Sequence, residues 1–130
     1  MDYKTLFEKA LEVSKNAWCV YSDFPVGAVL LLDDDSMVFG VNVENRSYGG
    51  TNCAERTAII KAVSEGYREF DAIAIVASSG DFASPCGICR QVLAEFMPEG
   101  KVILDSDEKG MVTYSVRELL PLGFTSKDIK

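Results

Sequence analysis

Two of the segments with helical periodicity begin at a cysteine, and a short apolar strand lies between them. This feature constrains the fold more than any other. One helix runs from Cys53 to Val63, with Ala54, Ala58, Ala62 and Ile59, Ile60, Val63 at helical spacing, and Gly66 closes it. Ala72 to Ala77 is a short apolar β run, and the second helix runs from Cys86 to Met97, with Val92, Leu93 and Phe96 facing inward. If both helices lie on one face of one sheet, their N-termini converge and three thiols meet. Cys86 follows Cys53 by 33 positions, and Cys89 completes a C-x-x-C in Pro85-Cys86-Gly87-Ile88-Cys89.

The remaining segments fit around this centre. Tyr3 to Ala17 reads as an amphipathic helix, ended by the loop Tyr21-Ser22-Asp23-Phe24-Pro25. Gly27–Leu32 and Met37–Val43 flank an acidic turn and read as an antiparallel hairpin. Asn45 to Asn52, with Gly49-Gly50, is a loop. Lys101–Leu104 and Met111–Tyr114 read as strands, and Ser115–Leu120 as a short capped helix. Strands alternating with helices imply an α/β layered domain with a largely mixed sheet. No repeat or linker divides the 130 residues, so a single domain over 1–130 is expected.

Composition narrows the function. The net charge is −7, with no basic stripe, which argues against nucleic acid and anionic membranes as partners and leaves small neutral molecules and proteins. No apolar run is long enough to cross a bilayer, and no signal peptide is visible, so a cytoplasmic protein is expected. The chain has no histidine, which removes Ser-His and Cys-His nucleophiles and every histidine metal ligand. Acid–base work must fall to a carboxylate, a lysine, a tyrosine or metal-activated water.

C-x-x-C at a loop-to-helix junction reads as a redox dithiol or as half of a metal site. The redox reading leaves Cys53-Ala54-Glu55 unexplained. Three protein ligands with one open position is the arrangement of catalytic zinc, and Glu55, two residues after Cys53, can reach that position without ligating. Zinc lowers the pKa of its water toward ~7, so no histidine is needed. The rival reading is a closed structural Cys₄ site that includes Cys19. Against it, Cys19 has no C-x-x-C partner and reads as a buried thiol.

The segments Cys53-Ala54-Glu55-Arg56-Thr57-Ala58 and Ser84-Pro85-Cys86-Gly87-Ile88-Cys89-Arg90-Gln91-Val92-Leu93 together resemble the small homotetrameric cytidine deaminases. The resemblance covers nearly the whole chain. It includes Tyr21-Ser22 and Phe24-Pro25-Val26-Gly27-Ala28, Asn42-Val43-Glu44-Asn45, and Glu118-Leu119-Leu120-Pro121 with Phe124. It implies a three-layer α/β/α domain with a mixed five-stranded sheet. It also implies one Zn²⁺ per subunit held by Cys53, Cys86 and Cys89, with Glu55 as the proton shuttle that holds the pyrimidine N3. Ala54 would touch the substrate, Asn42 and Glu44 would grip ribose hydroxyls, and Phe24 would line the nucleoside pocket. Phe124 would cover the base in a neighbouring subunit, making the active sites of a homotetramer shared.

Arg56 matches an arginine that donates to a zinc-bound thiolate. Zinc with three thiolates carries a formal charge of −1, which charge-assisted donors to sulfur offset. Arg90, beside Cys89, is expected to share this role. The implied reaction is hydrolytic deamination of cytidine and 2′-deoxycytidine in pyrimidine salvage. Cys19-Val20 and Arg46 depart from the family pattern and bear on fine specificity. A related alternative is a deaminase of the blasticidin S type, which shares C-A-E and P-C-G-x-C-R-Q. Glu44 and Phe124 favour plain cytidine.

Overall fold

Six consecutive buried residues, Gly27 to Leu32, with side chains on both faces of one strand, set the layering. In the computed structural model, which describes residues 2–124, the strand Val26–Leu32 (β1) packs Ala28, Leu30 and Leu32 into one apolar core and Val29 and Leu31 into another. A strand with two apolar faces needs a helical layer on each side. The helix Tyr3–Val13 (α1) covers the second face with Leu6, Phe7 and Ala10. The helices Ala54–Ser64 (α2) and Gly87–Phe96 (α3) cover the first face with Ala54, Ala58, Ile59, Ala62 and Leu93. The result is the expected three-layer α/β/α arrangement. The expected domain span of 1–130 includes residues 1 and 125–130, which lie outside the described residues.

The other strands are Met37–Val41 (β2), Phe70–Ala77 (β3), Lys101–Leu104 (β4) and Val112–Ser115 (β5). They form one sheet in the order β2-β1-β3-β4-β5. β1 is antiparallel to β2 and to β3, β3 is parallel to β4, and β4 is antiparallel to β5. The sheet is therefore mixed and five-stranded. Its one parallel pair needs a long crossover, which α3 supplies.

Two glycines permit the layers to close. A β-carbon at Gly27 would lie 1.9 Å from the Ala10 carbonyl oxygen on α1, and one at Gly40 would lie 2.3 Å from the Ala54 oxygen and 2.5 Å from the Ala58 nitrogen on α2. Gly40 thus lets α2 sit directly on β2, with Cys53 capping the helix at its start.

Long-range hydrogen bonds move some boundaries away from those the sequence pattern predicts. The first helix stops at Val13 and passes through a 3₁₀ turn, Ser14–Asn16, rather than reaching Ala17. Trp18 N–H donates to the Asn42 carbonyl (3.0 Å), and Glu44 N–H donates to that of Trp18 (2.7 Å). This pairing draws the chain out of the helix. β2 ends at Val41, and Val43 makes separate bridges to Trp18 and Asn52. The last helix (α4) is Val116–Leu119, with a reciprocal capping box between Ser115 and Glu118.

Candidate metal and nucleoside site

Cys53 and Cys86 are the N-cap residues of α2 and α3, and Cys89 lies in the first turn of α3. Because the two helices pack on the same sheet face and touch each other, these ends meet. The sulfurs of Cys53 and Cys86 are 3.8 Å apart and those of Cys86 and Cys89 are 3.4 Å apart, and all three lie within 4.8 Å of one another. Three thiolates bound tetrahedrally at ~2.3 Å from one zinc ion would sit about 3.8 Å apart, so the donor set fits zinc.

Cys19 is not in this group, so a closed four-cysteine site is not formed. Burial and the nearby Glu44 and Asp23 carboxylates push its thiol pKa up. Such a group stays a neutral thiol.

The cluster already favours negative charge on sulfur. The Cys53 pKa is pulled down to about 5, chiefly by hydrogen bonding with Cys89 and then by the Arg56 guanidinium and Cys86. Cys89, the proton-bearing partner, is shifted strongly upward by the same bond and by burial. Arg56 donates from Nη2 to the Thr51 carbonyl (2.8 Å), and the same atom lies 3.8 Å from the Cys53 sulfur. Its Nε is buried and has no partner among the described residues.

The Arg90 expectation requires correction. Its nitrogens donate to the Pro85 carbonyl, the Leu119 carbonyl and Ser84 Oγ, each at 2.8 Å, and not to sulfur. Neighbours on a helix point about 100° apart, so Arg90 leaves α3 on a different side from Cys89. It ties the loop before Cys86 to α4.

A cavity of about 290 Å³ opens beside the cluster, lined in part by Cys53, Ala54, Glu55 and Cys86. Glu55 is only 4% exposed. Burial pushes its pKa up to about 7, with a smaller upward contribution from Cys53 and an opposing one from Arg56. A carboxyl tuned this way can both release and accept a proton near neutrality.

The lining of the cavity also includes Phe24, Asn42, Glu44, Ser22 and Thr51. Asn42 is buried. Its Oδ1 accepts from Val26 N–H (2.9 Å), and its Nδ2 donates to the Phe24 carbonyl (2.9 Å). Glu44 Oε1 accepts from the N–H groups of Tyr21 (3.0 Å) and Ser22 (3.1 Å), and Oε2 accepts from the Ser22 hydroxyl. These bonds, that of the hydroxyl first, hold the Glu44 carboxyl below its ordinary pKa.

Phe124 lies apart from this cavity and is 61% exposed. Its main chain is gripped at two points by the Gln91 side chain. Gln91 Nε2 donates to the Phe124 carbonyl (2.8 Å), and Phe124 N–H donates to Gln91 Oε1 (3.3 Å).

Sequence reasoning gives no role to Ser22, Thr51 or Gln91, although Ser22 and Gln91 fall within the segments that carry the resemblance. Ser22 carried a usable signal, since a serine two residues before Phe24 invites a local side-chain turn. Thr51 and Gln91 act only through contacts that the fold creates.

A model of the cytidine and deoxycytidylate deaminase zinc-binding region matches residues 1–105. A cytidine deaminase of Halalkalibacterium halodurans is 48% identical over 130 residues, spanning 99% of this chain and 98% of that one. The crystal structure of a cytidine deaminase from Burkholderia pseudomallei superposes with a TM-score of 0.90 at 42% identity, covering 95% of this chain and 100% of that one. A blasticidin-S deaminase of Bacillus cereus is 32% identical over 108 residues, 77% of this chain and 76% of its own.

Proposed function

This chain belongs to the cytidine and deoxycytidylate deaminase family, and we propose that it is a single-domain, zinc-dependent enzyme that hydrolyses the C4 amino group of cytidine and 2′-deoxycytidine. The products are the corresponding uridines and ammonia, which places the enzyme in pyrimidine salvage. One observation carries the reading: a buried carboxyl, Glu55, with a pKa of about 7 opens onto the same cavity as Cys53 and Cys86 of the three-sulfur cluster.

Cys53, Cys86 and Cys89 would hold zinc, which would supply the Lewis acidity that makes water a nucleophile near neutral pH. Glu55 takes up a proton from the attacking water and delivers it to N3 of the pyrimidine, and then passes the water's second proton to the departing C4 amino group, so that the water oxygen replaces ammonia at C4. Ala54 and Phe24 bound the base, and Asn42 and Glu44 take the sugar hydroxyls. Arg56 offsets thiolate charge through its position 3.8 Å from the Cys53 sulfur.

We further propose a homotetramer in which Phe124 reaches a neighbour's cavity. Its 61% exposure and its distance from the cavity of its own chain support this reading, as do the exposed Trp18 (58%) and Tyr48 (75%). Four free cysteines suit a reducing compartment, which supports a cytoplasmic location.

The test joins metal analysis to the ultraviolet loss of cytidine. We expect about one zinc per chain and turnover in the parent and in Cys19→Ser, and loss of both in Cys86→Ser. Equal zinc loss from Cys19→Ser would overturn the three-ligand assignment.

A further inference from the structure

Ser22 sits where the loop after the 3₁₀ turn Ser14–Asn16 passes the exit of β2, and its hydroxyl bonds in two directions. It donates to Glu44 Oε2 and accepts from Phe24 N–H (3.1 Å). Two groups on the cavity wall are therefore joined through one oxygen, and Ser22 itself lines that cavity.

The bonding capacity of Glu44 gives this link a consequence. An ionised carboxylate offers about four lone-pair sites and no donor. Tyr21 N–H and Ser22 N–H occupy both sites on Oε1. The Ser22 hydroxyl occupies one on Oε2. Among the described residues one site is left, on Oε2, and only a donating group can use it. The two backbone bonds anchor Oε1, but they leave the carboxylate free to rotate about its bond axis within their tolerance. The hydroxyl on Oε2 fixes that rotation, and with it the direction of the last free lone pair.

We propose that Ser22 is the positioning residue of the sugar subsite, orienting Glu44 so that its one remaining acceptor site takes a ribose hydroxyl. The inference rests on the reading of Glu44 as a sugar contact. It adds a requirement that the substrate donate a hydrogen bond there, so a nucleoside without sugar hydroxyls gains nothing from Ser22. The depressed Glu44 pKa agrees with this, because a carboxylate kept ionised remains an acceptor.

The experiment compares cytidine with 2′,3′-dideoxycytidine, in which no 2′- or 3′-hydroxyl remains. In Ser22→Ala we expect KM for cytidine to rise about tenfold, equivalent to ~1.4 kcal/mol, with the effect on KM exceeding that on kcat. KM for the dideoxynucleoside should stay within about twofold of the parent value. Ser22→Thr, which keeps the hydroxyl, should restore most of the cytidine affinity, and zinc content should be unchanged in both variants. An equal rise for both nucleosides would show general damage to the loop and would overturn the proposal, as would an unchanged cytidine KM. Glu44→Gln separates the two ways of failing. If that variant loses the preference for cytidine over the dideoxynucleoside while Ser22→Ala keeps it, Ser22 has no positioning role. If Glu44→Gln also keeps the preference, the sugar assignment of Glu44 falls and the role of Ser22 falls with it.

Discussion

At the scale of single residues, Glu55 carries the sharpest expectations. Glu55→Gln keeps shape but cannot shuttle a proton, so we expect zinc and fold to persist while kcat falls at least ~10²–10⁴-fold. Near-normal turnover would remove Glu55 from its role. The same residue predicts a pH effect on stability. Its pKa rises from 4.5 to about 7 on folding. Between these values the unfolded chain has released a proton that the folded chain retains, so stability falls as pH rises through this window and is level above it. The difference corresponds to about 3 kcal/mol at most. Metal-free Glu55→Gln should therefore gain on the metal-free parent between pH 5 and pH 8, and urea denaturation at several pH values measures the gap. A constant gap would mean that the carboxyl is not desolvated. The sequence exposed Glu55 and the three cysteines because two short segments, Cys53-Ala54-Glu55 and Pro85-Cys86-Gly87-Ile88-Cys89, carry them all. It misdirected the reading of Arg90, since adjacency in sequence is not adjacency on a helix. It was silent on Thr51, whose carbonyl holds Arg56 only after the 3₁₀ turn Tyr48–Gly50 brings it round.

At the scale of elements, the contact of α2 with β2 decides where Cys53 stands. A methyl group at Gly40 would drive into the Ala54 oxygen and the Ala58 nitrogen, both backbone atoms that cannot rotate away. We expect Gly40→Ala to destabilise by about 1–3 kcal/mol, the usual cost of overpacking. It should also weaken zinc binding, because the displaced helix is the one capped by Cys53. Gly49→Ala, with nothing within 4 Å of its β-carbon, is the control. Denaturation and competition with a chromogenic chelator report the two effects; intact zinc affinity in a destabilised Gly40→Ala would uncouple the helix position from the site. The hairpin and both cysteine-started helices were legible because periodicity is a local property. The early end of α1 at Val13 was not, because the bonds from Trp18 to Asn42 and from Glu44 to Trp18 that cause it span more than twenty residues.

At the scale of the whole molecule, the proposed assembly makes Phe124 a group that serves another chain. A base stacked on an aromatic ring gains ~1–3 kcal/mol, so Phe124→Ala should raise KM for cytidine by roughly one to two powers of ten at unchanged zinc content. Mixing Glu55→Gln subunits, which retain Phe124, with Phe124→Ala subunits, which retain Glu55, should restore a low KM at some sites. Proven subunit exchange without that recovery would place Phe124 outside the shared site. The metal cluster has a whole-molecule consequence of a different kind. Its ligands come from two helices and stand 33 residues apart, so a zinc ion bound there joins distant parts of the chain and binds the folded form in preference to the unfolded. Folding then obeys mass action in the metal. At free zinc a thousandfold above its dissociation constant the native state gains about 4 kcal/mol, and a chelator withdraws that gain continuously. The melting temperature of this protein is thereby a gauge of the free zinc in its surroundings.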